Sequence, residues 1–178
     1  MTSNSSNKIG HVAIIMDGNS RWARQRNLKT IEGHKQGVNR LRDIVKYSAK
    51  SEITHLSVFA FSTENWKRSA SDVSDLMKLF LQSIIKEVPE LIENKVQLNF
   101  IGDIPRFSKS LVSQINSAMK DTQAKKPNLN LNVAISYGGR WDILNAIKRI
   151  KDHKINTDKL SEDDFSNLLS TSDFPDPD

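Results

Sequence analysis

The chain has 178 residues, of which 37% are hydrophobic and 26% charged, and it contains no cysteine. That is enough for one ordinary domain, and it excludes wholesale disorder, disulfides, thiolate zinc sites and cysteine nucleophiles. The net charge of +5 is unevenly spread: Asp17–Lys50 carries +6 and Lys151–Asp178 carries −5, which fits either an anionic ligand bound in the first third or two solvated helix faces.

The first residues, Met1 to Gly10, are polar and lack the apolar core of a signal peptide. Residues 1–9 read as a flexible tail and residues 10–178 as the domain. The longest apolar run, Val12-Ala13-Ile14-Ile15-Met16, falls far short of the ~20 residues of a spanning helix, so a soluble cytoplasmic protein is expected. Strands are predicted at His11–Met16, Leu56–Phe61, Val96–Ile101 and Leu129–Ser136, each short and rich in Val, Ile, Leu and Phe.

Between them lie helical patterns at Gly37–Ala49, Asp72–Glu93, Ser110–Gln123 and Trp141–Lys151, with a short acidic helix at Ser161–Leu169. In Asp72–Glu93, Val73, Leu76, Met77, Phe80, Ile84, Val88 and Leu91 recur every three or four residues, with Ser71 or Asp72 as the cap. That stripe reads as core, or as the wall of an apolar channel. Strands alternating with helices predict a single α/β domain, a mostly parallel sheet covered by helices on both faces. The run Asp173-Phe174-Pro175-Asp176-Pro177-Asp178 halts a helix where another strand is due, so an incomplete carboxyl-terminal part is expected.

In parallel α/β sheets, ligands sit beyond the carboxyl ends of the strands. Two polar turns fall there. Asp17-Gly18-Asn19-Ser20-Arg21-Trp22 offers a carboxylate suited to Mg²⁺ shared with phosphates, a glycine for close approach and a guanidinium fork. Ser62-Thr63-Glu64-Asn65-Trp66-Lys67-Arg68 repeats the ingredients after the second strand. Each turn taken alone is equally a locally capped turn; together they favour a phosphate-binding cleft. His34 opens a helix where an imidazole can meet phosphate, whereas His55 reads as structural. The chain has no Walker loop, no Gly-x-Gly-x-x-Gly and no His-Glu-x-x-His; Tyr137-Gly138-Gly139-Arg140 reads as a turn into a helix.

The segments His11–Ala23, Gly33-His34, Ala60–Trp66 and Asn132–Ile143 resemble the cis-prenyltransferases (isoprenyl transferases), most closely the bacterial undecaprenyl diphosphate synthase type, and the resemblance runs from about Lys8 to the end of the chain. It implies an Mg²⁺-dependent enzyme that adds isopentenyl diphosphate to an allylic diphosphate such as farnesyl diphosphate. The product implied is a cis-polyprenyl diphosphate, undecaprenyl diphosphate for the cell-wall lipid carrier. It also implies a parallel sheet among helices, a homodimer and a product delivered to the membrane. No nucleic-acid partner is expected, since only the +6 segment favours one and the chain has no RNA-binding signature or aromatic platform.

By the same resemblance Asp17 handles the metal and is catalytic, and Gly18, Asn19, Ser20, Arg21 and Trp22 form the diphosphate turn. His34 contacts phosphate; Ser62, Thr63 and Glu64 form the second substrate turn; Asn65 serves proton transfer; Trp66 and Arg68 contact substrate. Thr30, beside Lys29, stands where the family usually has an arginine, and lysine lacks its bidentate fork. The family also continues past the position of Asp178 into an isopentenyl diphosphate-binding region, so the chain as it stands is expected to be inactive. Asp163-Asp164-Phe165-Ser166-Asn167 lacks the last acid of the trans-prenyl synthase motif. The alternative is a non-catalytic prenyl-diphosphate-binding or partner subunit of the same fold.

Overall fold

A computed structural model describes residues 9–178; of the tail expected over residues 1–9, all but Ile9 lies outside the described residues. Four strands form one sheet in the order β1-β2-β4-β3, every pairing parallel: β1 His11–Ile15, β2 His55–Ser62, β3 Val96–Ile101 and β4 Leu129–Tyr137. The helices are α1 Asn19–Arg24, α2 Thr30–Ser48, α3 Ala70–Glu93, α4 Lys109–Asp121, α5 Gly139–Asp152 and α6 Glu162–Ser166. A 3₁₀ turn, Thr63–Lys67, joins β2 to α3.

One face of the sheet carries the core. Leu56, Val58, Val96, Leu98, Leu129 and Leu131 pack with Val45 of α2, Leu91 of α3 and Ala118 of α4. Phe61 and Ile135, toward the carboxyl ends of β2 and β4, pack with Leu76, Phe107, Leu111 and Ile115. Successive strand residues face opposite ways, and the other face bears a polar row linked strand to strand: Asn99 donates to Asn132, and Asn132 and His11 both meet the Ser57 hydroxyl. Cover on both faces is therefore not complete. Ala13 and Ile15 of β1 stand exposed on the polar face, Ile15 at 80%. The last residues dock on β1 rather than fray: Asp178 N–H donates to the His11 carbonyl, and its carboxylate accepts from the Gly10 and His11 N–H groups.

Helix α2 begins at Thr30, seven residues before the expected start at Gly37. Gly33 and Gly37 are packing positions: a Cβ on Gly33 would lie 2.0 Å from the Asn19 carbonyl oxygen, and one on Gly37 2.8 Å from the Asn19 amide nitrogen. These gaps let α1 lie on α2 and seat Asn19. Gly33→Ala must push α1 away, and about 1–3 kcal/mol of stability should be lost, seen as a lower urea midpoint at unchanged slope. The cap of α3 is Ser69, whose side chain accepts from the Asp72 N–H, not Ser71 or Asp72.

Candidate active site at the carboxyl ends of the strands

Strands β1 and β2 are neighbours, and β4 lies on the other side of β2. Because all run the same way, the segments after Ile15, Ser62 and Tyr137 emerge together at one sheet edge. The β2–β4 register shifts between Phe59 and Ser62, an irregularity of the kind that re-aims side chains beside a site.

A cavity of about 350 Å³ opens there and runs between the sheet, α2 and α3, the size of a pocket for one small-molecule ligand. Its polar mouth is lined by Asp17, Asn19, His34, Ser62, Asn65 and Arg68. Its body is apolar, with Leu41, Val45, Leu76, Phe80, Ile84 and Phe100 among the lining residues. Four members of the expected stripe, Leu76, Phe80, Ile84 and Leu91, thus face the cavity, while Met77 packs on the core without lining it. Toward the start of β3 the wall turns polar again at Arg42 and Lys46 of α2 and Glu87 and Glu90 of α3.

Gly18 adopts the left-handed conformation, φ +88°, at the head of α1. This turns its N–H back onto Asp17, whose Oδ1 accepts at 2.6 Å while Oδ2 accepts from Arg21 at 3.0 Å. Both side chains are largely exposed, 79% and 67%, so the pair is held weakly and can yield to a ligand. Ser20 and Trp22 do not line the cavity; the Trp22 ring lies under the Arg26 guanidinium, 4.4 Å away. Lys29 and Thr30 are exposed at the start of α2.

Ser62 and Asn65 cap the 3₁₀ turn reciprocally: the Ser62 hydroxyl accepts from the Asn65 N–H at 3.2 Å, and the Asn65 side-chain oxygen accepts from the Ser62 N–H at 3.0 Å. The amide NH₂ of Asn65 remains available to the cavity. Thr63, Glu64 and Trp66 belong to this turn but lie outside the cavity wall, with Glu64 exposed.

His34, in the first turns of α2, is the sharpest feature. Its Nε2 is buried with no hydrogen-bond partner among the described residues. Burial first, and then the charge of Arg68, hold its pKa below the ordinary 6.5, against the opposing pull of Asp72. An orphaned imidazole nitrogen on a cavity wall beside a cation suits an anion, whose arrival would supply the missing partner. A depressed folded-state pKa means that the unfolded chain protonates first. The His34 contribution is therefore complete above pH 6.5, and stability is lost as pH falls from 6.5 toward the lower folded value. His55, lowered by burial and by His11, acts in the same direction. Urea titrations at stepped pH should show this slope, and His34→Asn should flatten part of it.

Residues 15–178 match the family described as "Putative undecaprenyl diphosphate synthase". The chain belongs to this family. It is 44% identical over 168 residues to the isoprenyl transferase of Neisseria meningitidis, covering 94% of this chain and 66% of the relative. It is also 44% identical over 172 residues to a Coxiella burnetii protein named ditrans,polycis-undecaprenyl-diphosphate synthase ((2E,6E)-farnesyl-diphosphate specific), covering 94% of this chain and 72% of that one. The chain thus spans about two thirds of the length of these relatives.

Among solved structures, lavandulyl diphosphate synthase from Lavandula x intermedia, in complex with dimethylallyl diphosphate, superposes with a TM-score of 0.90 at 32% identity, over 96% of this chain and 75% of that one. A probable undecaprenyl diphosphate synthase from Campylobacter jejuni gives 0.75 at 29% identity, over 92% and 70%. The prenyltransferase fold expected from the sequence is the one observed.

Sequence reasoning left several residues of this region unassigned. Arg42 and Glu87 are far apart in the chain and meet only through packing of α2 on α3. Ser136 closes the expected strand Leu129–Ser136 and Gly138 lies in the expected turn after it, and no local signal distinguishes either. In both cases the role depends on what the fold brings alongside.

Proposed function

We propose that the protein condenses isopentenyl diphosphate with an allylic diphosphate such as farnesyl diphosphate, as a cis-prenyltransferase. The observation that carries this reading is the shape and chemistry of one cavity: an anion-seeking mouth at the strand ends continues into an apolar channel. A prenyl diphosphate has the same two halves. Arg68, the orphaned His34 nitrogen and Arg21, once released from Asp17, would hold phosphate oxygens. The apolar walls would sequester the growing hydrocarbon and keep water from the reacting carbon. Asn65, fixed through its oxygen by Ser62, would direct its amide N–H groups toward the bound diphosphate.

Among the described residues, no three His, Asp or Glu side chains are grouped to cage a metal. The single, solvent-facing Asp17 carboxylate nevertheless suits Mg²⁺, which commonly binds through one or two carboxylates, waters and substrate phosphates. Bound there, the ion would offset negative charge developing on the departing diphosphate. The exposed Ile143, Leu144 and Ile147 on α5 support a surface for self-association in the expected homodimer. No helix among the described residues is long and apolar enough to cross a membrane.

The test is incubation of the protein with farnesyl diphosphate, labelled isopentenyl diphosphate and Mg²⁺, with and without chelator. Passage of label into organic-extractable product only when Mg²⁺ is free supports this reading and overturns the inactivity expected of the chain as it stands. Tight binding of farnesyl diphosphate with no incorporation would instead favour a non-catalytic binding subunit.

A further inference from the structure

The carboxyl end of β4 holds a left-handed residue that is not glycine beside the cavity. Ser136 is fully buried and adopts φ +49°, a left-handed conformation that serine takes at a cost. In this conformation its carbonyl accepts from the Asp103 N–H at 3.2 Å, and its hydroxyl accepts from the Trp66 indole N–H at 2.9 Å. The Trp66 ring is also clamped by Phe61, edge-on at 5.2 Å, and by Phe107 at 5.4 Å, with the Arg106 guanidinium 4.7 Å from its centroid. Aromatic packing fixes the plane of the indole, but only the hydrogen bond fixes how far the ring slides along its neighbours. Two residues on, a Cβ at Gly138 would fall 2.6 Å from the Thr63 hydroxyl, so the same stretch of β4 seats the first residue of the 3₁₀ turn.

We propose that Ser136 is a positioning residue: by holding the Trp66 indole it fixes the Thr63–Lys67 turn, which presents Asn65 and Arg68 to the cavity. Trp66 stands between Asn65 and Arg68 in the chain and carries the N–H that the Ser136 hydroxyl accepts. The residue expected to contact substrate thus acts here through the backbone it carries. The inference rests on the prenyl-diphosphate reading for what the turn binds, but not for the contact itself.

The deciding variant is Ser136→Gly. Glycine relieves the left-handed strain while removing the acceptor, so a merely structural role predicts a sound fold and an unaltered turn. The melting temperature should change little. Amide exchange at Asn65 and Arg68, whose N–H groups bond to the Ser62 hydroxyl and the Asn65 carbonyl, should quicken about tenfold. Affinity for farnesyl diphosphate, by calorimetry, should weaken about five- to tenfold. Both effects should vanish when Ser136→Gly is made on top of Trp66→Phe, which keeps a packed ring but has no N–H to anchor.

Unchanged exchange at Asn65 and Arg68 would overturn the proposal. So would full additivity with Trp66→Phe, or faster exchange with unchanged affinity. A wild-type protein that fails to bind farnesyl diphosphate, with the exchange results as expected, would sink the substrate reading and leave the anchor standing.

Discussion

Asp17→Ala is expected to lower Mg²⁺-dependent isopentenyl transfer by about 10²-fold or more, with the urea midpoint scarcely moved. The two halves of that expectation come from the same geometry. Asp17 sits beyond the end of β1, and its only described partners are its own following N–H and the exposed Arg21. Deleting an exposed pair of this kind should cost under about 1 kcal/mol of stability. The carboxylate therefore does little for the fold, while its position at the cavity mouth suits a metal shared with diphosphate. A second readout separates this from general damage: the gain in farnesyl diphosphate affinity on adding Mg²⁺ should disappear in the variant, while affinity without metal should hold or improve as a negative charge leaves the site. Transfer at close to the wild-type rate would remove Asp17 from the mechanism.

The strands were legible because their apolar runs are short, β-branched and bounded by turn residues. Val96–Ile101 was found to the residue, and the other three to within one residue at either end. Helix α1, only six residues long, is too short to display a period and was read as part of a turn. The apolar period of α2 is legible only from Val38 on, while its first turns carry Gly33 and Gly37, which admit the Asn19 backbone and amide. The sequence points to Ser71 or Asp72 as the cap of α3, and propensity does not set them apart from Ser69, which backbone geometry selects.

The candidate site divides similarly. Asp17, Asn19, Ser62, Asn65 and Arg68 were findable because strand ends are where α/β folds bind ligands. Gly18, Ser20, Arg21, Trp22, Thr63, Glu64 and Trp66 came with the same motifs, yet they line no part of the cavity. Gly18 and Arg21 bond to Asp17, and Thr63 and Trp66 belong to the turn that Asn65 caps. A motif marks a stretch of chain; only packing shows which of its side chains face the ligand and which hold the others in place.

The largest stability effect should come from the wall of the cavity rather than its mouth. Glu87 of α3 binds Arg42 of α2 through both carboxylate oxygens, Arg42 Nε donating to Oε2 at 2.7 Å and a terminal nitrogen donating to Oε1. The side chains are only 24% and 19% exposed. Glu87→Ala would strip a mostly covered guanidinium on the cavity wall of its two-point partner, leaving only the charges of Glu90 and Asp43 nearby. About 2–4 kcal/mol should be lost, somewhat less than for a fully buried pair. One turn along, Lys46 and Glu90 pair at 2.7 Å but are 46% and 36% exposed, so Glu90→Ala should cost under about 1 kcal/mol. If desolvation of the orphaned charge is the cause, Arg42→Met combined with Glu87→Leu should return stability to within about 1 kcal/mol of wild type, because the apolar pair suits the same wall. Urea denaturation of the four proteins decides the matter. Equal, small losses for Glu87→Ala and Glu90→Ala would show that water reaches both pairs alike, and that the cavity wall at Arg42 is as wet as the surface.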